Sequence, residues 1–247
     1  MVYSQLDNSP KTHANGAEPD TGGSGGASGR DAIQRVVDGV TFGIRSGQLV
    51  PGQHLVEANL TRRFGVSRGS LREGLKHLSA DGIVTLTRYR GAFIAALDRK
   101  GVRDLLDVLE PLCALAARLA AENGQSGTDQ AKLRQIAQDL ASHVDQNGRA
   151  TYLENRRLFY DTMIEMGGNS ELGHVIPLAR TDLFRAQFET VQNRDQRKRH
   201  ANGYARIADA VVEGDPQKAE RAVRKHFAGT RATLEVLPDQ AFAASYG

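Results

Sequence analysis

The chain has no tryptophan, a single cysteine (Cys113) and only 6% aromatic residues among its 247. One cysteine excludes an internal disulfide and a thiolate-rich zinc site, so any metal would depend on histidine and carboxylate ligands. Long apolar runs are also missing: nothing approaches the roughly 18 consecutive apolar residues of a membrane-spanning helix. The N-terminus lacks the basic-then-apolar order of a secretory signal. These absences predict a soluble, cytoplasmic protein. Sparse aromatics favour a helix-rich chain over a β-sandwich, and 40% hydrophobic residues over this length suffice for two modest domains or one large one.

The charge is unevenly placed. Residues 30–100 hold twelve Lys/Arg against six Asp/Glu, residues 1–29 hold one against three, and residues 101–247 hold 19 against 20. All the positive excess therefore lies in one block, which suggests a polyanion-binding module joined to a part with another task. A merely solvated basic surface would give the same count, so charge alone does not decide.

Residues 1–29 include Gly22, Gly23, Gly25 and Gly26 and little that could form a core, which predicts a disordered tail. From Arg30, the residues Ile33, Val36, Val37, Val40 and Ile44 recur at helical spacing until Gly47 and Pro51 stop the run. A short extended piece, His54–Val56, precedes a second helix over Glu57–Phe64, ended by Gly65 in the left-handed cap position. Ser67 suits the N-cap of a third helix from Arg68, with Val66 and Leu71 as its hydrophobic staple and Leu71, Leu75 and Leu78 as its buried stripe. Two β-type segments, Ile83–Thr87 and Ala92–Ala95, flank the basic hairpin Arg88-Tyr89-Arg90-Gly91.

That order predicts a winged helix-turn-helix over residues 30–97. A helix about 10–12 Å wide fits the major groove, where only its exposed N-terminal residues reach base edges. Packing of the three leucines turns Arg68, Gly69, Ser70 and Arg72 outward at that end, where the helix dipole also favours a phosphate. Beyond Leu97 the pattern predicts helices near 99–122, 129–147, 149–166, 170–190 (kinked by Pro177), 196–213 and 215–236. No fixed repeat is present, so these form one all-α bundle over 98–236, followed by a C-terminal tail at 237–247. The expected fold class is mainly α.

Several ordered strings then resemble a known family. Ser46-Gly47-Gln48-Leu49-Val50-Pro51-Gly52-Gln53-His54-Leu55-Val56-Glu57, Phe64-Gly65-Val66-Ser67-Arg68, Leu71-Arg72-Glu73-Gly74-Leu75, Asp81-Gly82-Ile83-Val84 and Arg90-Gly91-Ala92-Phe93-Ile94 are similar to the DNA-binding domain of GntR-type regulators. Leu109-Glu110-Pro111, Gly168-Asn169, and Ile207 through Ala210 and Gly214-Asp215 to His226 resemble the FadR-like branch with an FCD ligand domain. The resemblance implies a homodimer on a pseudo-palindromic double-stranded operator, with the wings in the adjacent minor groove. It assigns DNA contacts to Ser67, Arg68, Gly69 and Arg72 of the helix and to Arg90 and Gly91 of the wing. Ala58 departs from the pattern, because an arginine at that place can touch DNA.

FCD domains often hold a divalent metal through an aspartate, a histidine four residues on, and two further histidines. The matching positions here are Arg156, Tyr160, Tyr204 and His226. A permanently protonated guanidinium is no ligand and repels a cation, so no metal or other cofactor is expected. Each of these residues lies on an apolar helix face. Two readings of them stay open: Arg156, helped by Tyr160, Tyr204 and His226, binds the anionic group of a small effector, or Arg156 pairs with a buried carboxylate while the tyrosines fill the core. Arg180 and Arg185 are further candidates for the cavity wall. The function expected is an effector-responsive, DNA-binding transcriptional regulator, a repressor more than an activator, with an architectural DNA binder as the competing class. No nucleophile elbow, phosphate-cradling glycine loop or paired-histidine metal box points to an enzyme.

Overall fold

The computed structural model describes residues 25–124, 126–142, 149–188 and 191–244. Helix α1 (Gly25–Arg45) is followed by β1 (His54–Leu55), α2 (Glu57–Phe64), α3 (Arg68–Ala80), β2 (Val84–Thr87) and β3 (Gly91–Ile94). The sheet order is β1-β3-β2, antiparallel throughout, with His54 opposite Phe93 and Thr87 opposite Gly91. The expected tail reaches into α1, which starts at Gly25; residues 1–24 lie outside the described part.

Local signals explain the head. Gly65 ends α2 at φ 61°, and the Ser67 side chain accepts the Ser70 backbone N–H at 3.1 Å to start α3. Leu71, Leu75 and Leu78 are at most 1% exposed and meet Val36, Val40 and Ile44 of α1, with Ile83, Val84 and Ile94 closing the core from the sheet. Burying one such leucine stabilises the head by about 1.5–3 kcal/mol.

The remaining helices are α4 (Arg99–Asn123), α5 (Gly127–Ser142), α6 (Arg149–Gly167), α7 (Ser170–Val175), α8 (Leu178–Phe188), α9 (Arg194–Val212) and α10 (Pro216–Glu235). Helix α10 packs on α4 and α9, and α6 packs on α4 and α5. The predicted helix over 170–190 is two helices. Pro177 cannot donate an N–H, and Ile176 before it is extended at φ −74°, ψ 113°, so the chain breaks rather than bends. The last residues of that stretch, and those of the helix expected over 129–147, lie outside the described residues.

The segment expected as a C-terminal tail is folded over residues 237–244. A 3-10 turn (Asp239–Ala241) leads to Phe242, which lies 5.0 Å from the Phe188 ring and 4.1 Å under the Arg99 guanidinium. Arg99 also donates to the Leu237 carbonyl at 2.7 Å, and the Ala243 N–H donates to the Leu97 carbonyl at 3.0 Å. Aromatic burial and satisfied backbone groups hold the segment against the joint between head and bundle.

Helix α8 serves both parts. Leu183 and Ala186 belong to the head's core, beside α1. Gln187 accepts the Leu97 N–H at 2.8 Å and donates to the Leu97 carbonyl at 2.8 Å, pinning the connection. Asp182 and Arg185 are buried with the bundle. No helix among the described residues is long and apolar enough to cross a membrane.

Candidate nucleic-acid interface and effector cavity

The first turn of α3 presents Arg68 and Gly69 to solvent, with Arg72 exposed one turn on. Ser67 and Ser70 are occupied locally: their hydroxyl oxygens lie 3.1 Å apart and Ser67 caps the helix. Arg72 Nε lies 3.3 Å from Glu57 Oε2, a pair with both side chains well exposed. Such a pair is worth about 0–1 kcal/mol, so it positions Arg72 without locking it.

The wing tip is more prominent than the motif indicated. Tyr89 is 93% exposed and takes φ 69°, a conformation that costs a non-glycine residue energy. The Arg88 guanidinium lies 5.3 Å from its ring centroid, and Arg90 and Gly91 are exposed beside it. Two cations therefore flank one aromatic at the end of the hairpin. Neither Arg88 nor Tyr89 was among the predicted contacts, because the motif drew attention to Arg90-Gly91 alone.

In the bundle, Arg156, Tyr160, Tyr204 and His226 are all at most 4% exposed, and they do converge. The Arg156 guanidinium lies 5.0 Å from the Tyr160 ring, the Tyr160 and Tyr204 rings are 6.3 Å apart, and Tyr204 and His226 are 4.7 Å apart. Sequence reasoning missed His200, whose ring sits 4.2 Å from that of His226 and 5.2 Å from that of Tyr204. It also missed Asp182, whose carboxylate lies 3.6 Å from Arg156 Nη1 and 3.4 Å from Arg157 Nη2. A histidine or an aspartate on a neighbouring helix has no fixed offset from Arg156, so spacing alone could not find either.

The Asp182 pairing is loose. Arg156 Nε and Nη1, Asp182 Oδ1, Arg185 Nε, Tyr204 OH and both imidazole Nε2 atoms are buried and make no hydrogen bond among the described residues. Each such group costs about 1–3 kcal/mol if left unmatched, and they lie together around the Arg156–His226 cluster. Burial, with Arg185 and Arg156 adding to it, holds the His200 and His226 imidazoles well below the usual histidine range, so both are neutral at pH 7. Burial raises the Asp182 carboxyl despite the two arginines opposing it. It likewise pushes the Cys113 thiol up to about 12, which leaves that side chain an inert core residue.

A cavity of about 330 Å³ opens beside this cluster between α8, α9 and α10. Arg185, His200 and His226 line its inner end, and Gln196, Thr230 and Thr233 are among its neutral polar groups. Of the four residues predicted for the effector, His226 alone lines this cavity; Arg156, Tyr160 and Tyr204 stand behind it. The donor set does not fit a divalent cation: no three His, Cys, Asp or Glu side chains cluster among the described residues, and two arginines adjoin the two histidines.

Comparison with known proteins resolves the architecture. The FCD domain family matches residues 104–229, and the family described as bacterial regulatory proteins, gntR family, matches residues 32–94. This chain belongs to the FCD branch of the GntR regulators. Among relatives of this GntR regulator, the Glc operon transcriptional activator of Escherichia coli (strain K12) is 28% identical over 83% of this chain and 86% of that protein. The probable D-xylose utilization operon transcriptional repressor of Paenarthrobacter nicotinovorans is 21% identical over 78% and 84%. The solved structure of E. coli McbR/YncC shares the fold with a TM-score of 0.71 at 18% identity, covering 83% of this chain and 97% of that one. The winged head and helical bundle of this regulator are thus the GntR and FCD units, and its role is DNA-binding transcriptional regulation.

Proposed function

We propose that this regulator binds a pseudo-palindromic operator as a homodimer and that a small anionic effector in the cavity changes its grip. The observation that carries the DNA reading is the exposed Arg68, Gly69 and Arg72 on the first turns of α3 together with Arg90 and Gly91 on the wing. Arg68 is suited to bidentate recognition of guanine, and the wing cations to the minor groove. Ser67 and Ser70, whose hydroxyls serve the helix start, contribute the backbone at that end to a phosphate. Two half-sites one helical turn apart require two heads, and α4 offers a surface for a second copy. Val108 is exposed, and Leu112, Leu115 and Leu119 are partly buried at i, i+4, i+7 and i+11 along one side.

The unmatched buried polar atoms of Arg185, His200 and His226, which line the cavity, support the effector reading, because an anion there supplies an acceptor to the guanidinium while the imidazoles complete its shell. Tyr160, stacked under Arg156, holds that guanidinium in place. Effector contacts with Arg185 act on α8, whose Leu183 and Ala186 lie in the head and whose Gln187 grips Leu97. Coupling of about 1–3 kcal/mol through α8 is the usual size of such effects. We assign the response as release of a repressor. The name of the Glc operon activator favours the opposite sign, and a promoter reporter with and without effector separates the two.

Selection of sites from a random duplex pool, followed by anisotropy titration, tests the reading. A palindromic consensus is expected, with affinity falling steeply between about 50 and 200 mM salt. Arg68→Ala is expected to relax the preference at one position per half-site by about 1–3 kcal/mol. Binding that ignores both salt and Arg68 would overturn it.

A further inference from the structure

The mouth of the cavity is chemically one-sided. Arg185 from α8, Arg199 and Arg206 from α9 and Lys225 from α10 line it, and no aspartate or glutamate is among the described residues that do. Arg185 is buried, and its Nε has no acceptor. Arg199, Arg206 and Lys225 are exposed and make no ion pair among the described residues. Of the other cations on α10, Lys218 pairs with Glu213, Arg224 with Glu220 at 2.6 Å and Arg231 with Asp107 at 2.7 Å, while Arg221 has no ion pair among the described residues. Lys225, on the cavity side, holds none.

The spacing also bears on the ligand. Arg199 and Arg206 are seven residues apart on α9, two turns or about 10 Å along the axis, and Lys225 faces them from the adjoining helix. One anionic group at the inner end would leave the cations at the mouth repelling one another. A second anionic group at the mouth relieves that repulsion and gains charge-assisted hydrogen bonds. The volume, at the small end of ligand sites, suits a compact metabolite rather than a nucleotide or a long acyl chain.

We propose that the ligand of this cavity carries at least two anionic groups, one seated on Arg185 and the other held at the mouth by Arg199, Arg206 and Lys225. Its class is a di- or tricarboxylate or a phosphorylated hydroxy acid. The inference rests on the effector reading above and narrows it. Gln192, Gln196 and Asn202, also on the lining, can match hydroxyl groups on the connecting carbons.

The test titrates full-length protein by calorimetry with butyrate, succinate, citrate and 3-phosphoglycerate. Butyrate and succinate share a four-carbon chain and differ by one carboxylate. At least one polyanion is expected to bind at least tenfold more tightly than butyrate, about one power of ten in Kd. Citrate ahead of 3-phosphoglycerate identifies a carboxylate at the mouth, and the reverse order a phosphoryl group. In the Arg199→Gln, Arg206→Gln, Lys225→Gln triple variant, whose changes are all on exposed side chains, that preference is expected to vanish with the ligand-free melting temperature unchanged. Equal binding of butyrate and the polyanions, or a preference that survives the triple change, overturns the two-anion inference. The effector reading survives that result if Arg185→Met abolishes binding. No binding of any of the four by protein that still recognises its operator overturns both.

Discussion

The head and the bundle solve opposite problems with similar helices. In the head, the buried residues are aliphatic and the cations face outward, so its core is ordinary and its surface is specialised. In the bundle, a comparable apolar core surrounds Arg156, Asp182, Arg185 and His226, so specialisation is inside and stability is spent to keep it there. A surface that reads a polyanion needs accessible charge, whereas a pocket that selects a small anion needs charge stripped of water. On the proposed reading the same residue type, arginine, does both jobs, and depth decides which.

Removal of Asp182 breaks this contrast most strongly. Asp182→Asn leaves Arg156 and Arg157 without their carboxylate and is expected to destabilise the protein by about 3–5 kcal/mol. Thermal melting measures the loss. Leu75→Ala, the counterpart in the head, removes purely apolar contacts and is expected to cost about 3 kcal/mol. A loss at Asp182→Asn below about 1 kcal/mol would erase the distinction between the two interiors.

The next effect is one of pH. His200 and His226 resist protonation in the folded state, whereas in the unfolded chain they titrate near 6.5. Below about pH 6.5 the unfolded state therefore takes up protons that the folded state refuses, and stability falls as pH drops. The slope is about 1.4 kcal/mol per pH unit for each histidine. Denaturant titrations at pH 7.5, 6.5 and 5.5 are expected to show the decline, and His226→Gln to halve it. The smallest effect belongs to the exposed Arg72–Glu57 pair: Glu57→Gln should change stability by under about 1 kcal/mol while strengthening DNA binding slightly, because Arg72 is then free for phosphate.

Much of the head was legible because its signals are local. The α2 boundaries follow from Gly65, the start of α3 from Ser67, and its buried side from three leucines a turn apart. Arg156, Tyr160, Tyr204 and His226, singled out through the resemblance to FCD ligand positions, do share one interior. What those residues would touch was not legible. Asp182 reaches Arg156 from 26 positions away, and His200 meets His226 across two helices. The fate of Phe242 was equally hidden, since a lone aromatic after the last periodic segment has no pattern until Phe188 and Arg99 are placed around it. The break at Pro177 was visible as a proline but misread as a bend; the extended residue before it decides the matter.

Helix α8 spans only eleven residues, yet Leu183 and Ala186 fill one interior while Asp182 and Arg185 furnish the other. Neither half can come apart without taking away a wall of its neighbour. Scanning calorimetry of the intact chain should accordingly trace one heat-absorption peak rather than two, with the winged head and the helical bundle melting as a single cooperative unit.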